Sequence, residues 1–282
     1  MNTSTYKSEL FGKITLGADP EVLLVTAADI PWGGYKCSTG TKEDPEVVPY
    51  GAIQVDGMAL EYNIDPASCL KEWKENHYCV LDVLKDRAGR EDLSLTDISC
   101  QQYDYYIDIV ACEEELMFGC EPDLNAGTGV ENEMPENDGS IKFRTAGGHV
   151  HVGFSEWSTN SGNSLETART LVKLMDATLG LWSIFTDEGQ ERRKLYGNAG
   201  AFRLKDYGFE YRTLSNFWVF DEAYLQYVYN TTVSLFSLPT NKMFNLVSQV
   251  QELYPQIEKA INNNLIDDAI ILHAKVEAMI NA

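Results

Sequence analysis

Four short segments of this chain place strong ligand-type residues two positions apart. They are Asp19 and Glu21 in GADPE, Glu61 and Asn63 in LEYN, His149 and His151 in GGHVHVG, and Glu210 and Arg212 in FEYRT. On a β-strand, residues i and i+2 point to the same face. The residues between the last three pairs, Tyr62, Val150 and Tyr211, suit an apolar opposite face. Any one pair fits a sheet with a wet side. Four of them, one preceded by Gly147-Gly148, predict a polar field of carboxylates, imidazoles and a guanidinium, if the strands share a sheet. Carboxylate oxygens in that density suit hard divalent cations such as Mg²⁺ or Mn²⁺.

The basic residues add a second requirement. Of 22 Lys and Arg, six fall between Arg192 and Arg212: Arg192, Arg193, Lys194, Arg203, Lys205 and Arg212. Arginine grips phosphate oxygens in a bidentate fork. Carboxylates fit to hold metals, next to clustered arginines, describe a nucleoside triphosphate site better than a hydrolytic zinc site. The same cluster also suits ion pairs with Asp187, Glu188 and Glu191.

Elsewhere the chain is acidic, with a formal net charge of −21. Fourteen acids and no Lys or Arg lie between Glu91 and Ile141. Such a surface repels nucleic-acid backbones and anionic membranes, so neither is expected as a partner. Glu131 to Asp138 reads as a solvated loop. No apolar run approaches the roughly 18–20 residues of a membrane span, and Met1 to Tyr6 lacks the regions of a signal peptide. Six cysteines without CxxC spacing read as buried free thiols in a reducing cytoplasm.

The elements that must position these residues are legible in outline. Phe11 to Thr26 reads as a strand broken at GADPE. Tyr50 to Ile64 reads as a hairpin turning at Asp56-Gly57. Helices are expected over Pro66–Arg87, Leu165–Phe185 and Asp221–Leu238, with two more between Asn241 and Ala282. Further strands are expected within Ile141–Phe154 and Phe209–Ser215. His77 and His273 lie on helical stripes and read as packing residues. Strand clusters separated by helices, without regular βαβ alternation, predict an α+β fold.

At these motifs the chain resembles the carboxylate–amine ligases of the glutamine synthetase and glutamate–cysteine ligase superfamily, more narrowly the phage-type COOH–NH2 ligases. The matching pieces are GADPE (17–21), DGMALEYN (56–63), GCEPDLNA (119–126), GGHVHVGFS (147–155) and FEYRTLSNFW (209–218). The resemblance implies a curved antiparallel sheet with flanking helices, whose concave polar face holds ATP and divalent metals. It implies a catalytic domain over residues 1–240, with C-terminal helices 241–282 packed on it.

Carried over by position, Glu21, Glu61, His149 and Glu210 would be metal ligands, with Asp19 a further candidate. His149 would also lie beside the nucleotide, with His151 closer to the substrate. Arg212 would contact the phosphates, helped by Arg203 and by Arg192 or Arg193. Arg212, His151 and Arg203 are the candidate catalytic residues, and Asn63, Tyr196 and Asp123 the candidate substrate contacts. The first strand offers Asp-Pro-Glu where many relatives have two glutamates, which leaves the metal count open.

The activity implied is ATP-dependent amide formation between a small-molecule or peptide carboxylate and an amine, through an acyl phosphate. If the chain is phage-encoded, it would work in the bacterial cytoplasm. Three other readings stay open. A guanidino-kinase-like phosphotransferase would use the same fold, a metal-dependent hydrolase would use His149 and His151, and a silent scaffold would keep the fold alone.

Overall fold

The computed structural model describes residues 6–102, 123–133, 143–157, 164–193 and 196–282. Every strand pairing among them is antiparallel. One six-stranded sheet runs in the order Lys7–Ser8, Gly12–Ala18, Val150–Phe154, Gly208–Tyr211, Ala201–Lys205 and Leu124–Asn125. A second runs Pro31–Trp32, Glu21–Thr26, Ala59–Ile64, Gly51–Asp56 and Glu46–Val48, with Leu93–Thr96 also pairing Glu21–Thr26. Helices flank this curled antiparallel layer, so the fold is α+β.

The break at GADPE is where the layer divides. Pro20 has no N–H to donate to a ladder. The strand before it, Gly12–Ala18, joins the first sheet, and the strand after it, Glu21–Thr26, joins the second. A bridge between Leu16 and Ala67 stitches the two together. The four ligand-type pairs therefore do not share one hydrogen-bonded sheet, as the i, i+2 reading supposed. Asp19 stays with the histidine strand, while Glu21 crosses to face Glu61. The strand Ala201–Lys205 was also not expected. Its sequence AFRLK sits inside the basic island, where charge hides a short alternation.

The helices supply the apolar backing. In helix Leu70–Arg90 the buried face is Trp73, His77, Val80, Leu81 and Leu84, the 3.6-residue spacing of an amphipathic helix. Trp73 stacks on Trp218 with ring centroids 5.7 Å apart. His77 is packing, as its stripe implies: it is fully buried and bonds the Tyr62 hydroxyl at 3.0 Å. Burial pushes its imidazole down to a pKa of about 3. His273 lies edge-on to Phe185.

The long apolar helix is one run, Ser164–Met175 and Leu181–Ile184, joined by a π-turn at Asp176–Gly180. Helices Thr240–Asn262 and Ile266–Asn281 pack against it. No described helix is long and apolar enough to cross a membrane. Cys37, Cys69, Cys79 and Cys100 are free thiols; Cys112 and Cys120 lie outside the described residues, as does most of the acidic stretch. Glu131 and Glu133 are exposed.

Candidate active site

The histidine strand is central in its sheet, between Gly12–Ala18 and Gly208–Tyr211. Register sets His151 opposite Glu210 and next to Gly17. The two glycines before it are required by close approach. A Cβ at Gly147 would run into the His149 ring, and one at Gly148 into the Ser215 carbonyl.

Asp19 turns onto this strand. Its Oδ1 lies 3.0 Å from His151 Nε2 and 3.4 Å from His149 Nδ1, which in turn lies 3.5 Å from Glu210 Oε1. Asp19, His149 and Glu210 can each offer one ligand atom, all within 4.8 Å of one another. Arg212 bonds Glu210 through one guanidinium nitrogen and reaches His149 Nδ1 at 3.3 Å with the same nitrogen.

A second carboxylate group lies across the crease. Glu21, Asp56 and Glu61 also converge within 4.8 Å. Glu21 accepts from the Gly147 N–H at 2.6 Å, tying this group to the histidine strand. Gln54 donates to Glu61 at 3.1 Å. Asp56 is a participant that sequence reading treated only as a turn residue. The signal was available: Gln54 and Asp56 are themselves an i, i+2 pair on the strand that faces Glu61.

Five carboxylates this close are not all comfortable as anions. Burial pushes the Glu61 carboxyl well above the usual range, and Asp19, Glu21, Asp56 and Glu210 push it further. Asp56 is raised by burial and then by Glu21. Burial and Asp19 work against ionised Glu210, but Arg212, His149 and His151 outweigh them and hold it at about 2. Asp19 is held low by its two imidazoles against the cost of burial, and His151 is raised by Asp19 against the same cost.

The residues fit a hard cation. Asp19 Oδ1 and His151 Nε2 are buried and face each other, yet neither makes a well-directed hydrogen bond. The donors are dominated by carboxylate oxygen, the ligand type of Mg²⁺ and Mn²⁺.

The basic island divides. Arg212 Nε donates to Asp123 at 3.1 Å. Lys205 pairs with Glu210 at 2.8 Å, and Arg203 lies 3.9 Å from the same carboxylate. Arg192 is buried behind the strand end and donates to the carbonyls of Thr213 and Arg212 at 3.0 and 3.3 Å. Arg193 is not brought to this face. It pairs with Asp187 at 2.9 Å and with Ser183, both buried, because the short helix Gln190–Arg193 points consecutive side chains in different directions. Lys194 lies outside the described residues.

Two cavities flank the carboxylates. Glu21, Asp56, Asp123, Arg144, His149 and Arg212 line one, with Arg192 and Tyr196 at its wall. Asp19, Glu61, Asn63, His151 and Tyr207 line the other. The expected substrate contacts are thus split, Tyr196 and Asp123 on one side and Asn63 on the other. Arg144 and Tyr207 were missed by sequence reading. Tyr207 bonds His151 Nδ1, and nothing in the local sequence of either residue marked it.

Residues 131–262 match the family model described as Phage phiEco32-like COOH.NH2 ligase-type 2. The resemblance read from the motifs is therefore shown over that segment, which contains His149, His151, Glu210 and Arg212. No curated protein matches the chain. Among solved structures, it is similar to one described as apo GmaS without ligand. That alignment covers 94% of this chain and 68% of the other at 11% identity, with a TM-score of 0.42, too distant a likeness to bear on function.

Proposed function

We propose that this chain is an ATP-dependent carboxylate–amine ligase that forms an amide through an acyl phosphate. The observation that carries the reading is the pair of carboxylate groups, Asp19–His149–Glu210 and Glu21–Asp56–Glu61, set against Arg212 within a chain whose matched family is a COOH–NH2 ligase. Divalent metal, when bound by these ligands, would neutralise phosphate charge and orient the reacting groups.

The chain's own residues do the rest. Arg212 is already oriented by Asp123 and Glu210, so it needs little reorganisation to face the transferred phosphoryl group. Arg203 lies opposite Glu210 on the paired strand. Preorganised charge of this kind stabilises the transition state without a cost paid during reaction. The substrate carboxylate attacks the γ-phosphoryl group, ADP leaves, and the amine displaces phosphate from the acyl phosphate. His151, between Asp19 and Tyr207, lies at the cavity that lacks arginine and is proposed to face the substrate. The helices after residue 240 are read as part of the same domain, a reading supported by the bond from Tyr254 to Asp176 at 2.8 Å.

The test is ADP release with Mg²⁺ and ATP across a panel of carboxylates and amines, with mass analysis of the products. An amide product with stoichiometric ADP supports the reading. A stable phosphorylated product with no amide would make the chain a phosphotransferase. Hydrolysis without ATP, together with bound zinc, would make it a hydrolase.

A further inference from the structure

One acid behind the site belongs to neither carboxylate group. Asp176 is fully buried, and among the described residues it forms no ion pair. It opens the π-turn Asp176–Gly180, and turns of this kind are frequent at functional sites. Four donors satisfy its carboxylate. Oδ1 accepts from the Tyr211 hydroxyl at 2.7 Å and the Thr213 hydroxyl at 3.2 Å. Oδ2 accepts from the Gly200 N–H at 2.7 Å and the Tyr254 hydroxyl at 2.8 Å.

Three of those four donors surround the functional strand pair. Tyr211 and Thr213 are the two neighbours of Arg212, and Tyr211 follows Glu210. Side chains alternate across a strand, so the hydroxyls that hold Asp176 point away from the face that presents Glu210 and Arg212. Gly200 leads into the strand that carries Arg203. Arg192 clamps the same segment through the carbonyls of residues 212 and 213. A buried carboxylate is costly to desolvate and weak evidence for stability. Here its bonds converge on one short stretch of backbone.

We infer that Asp176 is a positioning residue, fixing the 210–213 segment from behind so that Glu210 and Arg212 hold their places in the site. Its effect on turnover rests on the ligase reading; its effect on the strand does not.

The test compares two substitutions that each delete one hydroxyl from the same carboxylate. Tyr211→Phe cuts the link to the functional strand, and Tyr254→Phe cuts the link to helix Thr240–Asn262. Amide hydrogen exchange over 208–215 and the kcat and KM for ATP are measured on the full chain. Tyr211→Phe is expected to speed exchange there and lower kcat about tenfold with KM little changed, the order of one hydrogen bond to a charged acceptor. Tyr254→Phe should lower Tm comparably but leave both readouts near wild type. Asp176→Asn should resemble Tyr211→Phe if it folds, and the tyrosine pair decides the matter if it does not. Equal effects of the two tyrosine variants on exchange would reduce Asp176 to a core residue and overturn the inference. Absence of ADP release by the wild type would instead defeat the ligase reading, leaving the exchange contrast to judge Asp176.

Discussion

Replacing Glu61 with Gln should stabilise the metal-free protein and at the same time weaken its response to Mn²⁺. Glu61 sits within 4.8 Å of ligand oxygens on Glu21 and Asp56. At that separation and an effective dielectric constant of about 20, each like-charge pair costs about 3.5 kcal/mol. Two such pairs exceed what the protein need bear, because Glu61 can take up a proton. From an ordinary value of 4.5, protonation at pH 7.5 caps the penalty at about 4 kcal/mol. Asp56 also feels Arg144 and Arg212, so a net relief of about 1–3 kcal/mol is expected. That corresponds to a rise in Tm of about 2–10 °C. Gln keeps an oxygen to accept from Gln54, so the packing need not change. The sign with pH follows from a carboxyl raised on folding. Both proteins should be equally stable below pH 4.5, and the variant should gain its advantage as pH rises above that value. Thermal melts with and without Mn²⁺ read both effects. A less stable apo variant at pH 7.5, or a Mn²⁺ shift equal to wild type, would refute the placement of Glu61 in a strained cation-seeking group.

Three further outcomes are expected. Glu210→Ala and His149→Ala should leave the circular dichroism spectrum intact and abolish ADP release; unchanged turnover would remove that residue from the site. Arg212→Lys should lower kcat by about 10² or more, since an ammonium cannot hold Asp123 and Glu210 as a fork does, and a loss under threefold would show that the fork is dispensable. His77, with its pKa lowered from 6.5 to about 3, must stay neutral when folded. Stability should therefore fall as pH drops below 6.5, by about 2 kcal/mol at pH 5, and in urea melts at a series of pH values the stability of His77→Gln should depend visibly less on pH over that range.

The chain carries a net −21, yet the face of the candidate site is a mixture in which Arg212, Lys205 and Arg203 gather round one buried Glu210. An overall acidity that repels nucleic acid is compatible with local grip on phosphate, because fields at contact distance are set by the nearest few charges.

The residue types at two-residue spacing were enough to nominate Asp19, Glu21, Glu61, His149, His151, Glu210 and Arg212, because strand periodicity is local and exact: neighbours two apart share a face whatever the rest of the chain does. Helix spans were legible for the same reason, apolar residues at 3.6 spacing needing no partner to be seen. What only the tertiary structure decided was which faces meet. Pro20 parted Asp19 from Glu21 into different sheets, giving two carboxylate groups instead of one. Asp56 joined through a register that pairs Gln54 with Glu61. Arg193 was drawn to Asp187 while Arg203 and Arg212 turned to Glu210. Asp176 gained four donors from three separate stretches of chain. Each of these depends on contacts between residues far apart in sequence, whose geometry is fixed by packing and strand register, and no local pattern carries that information.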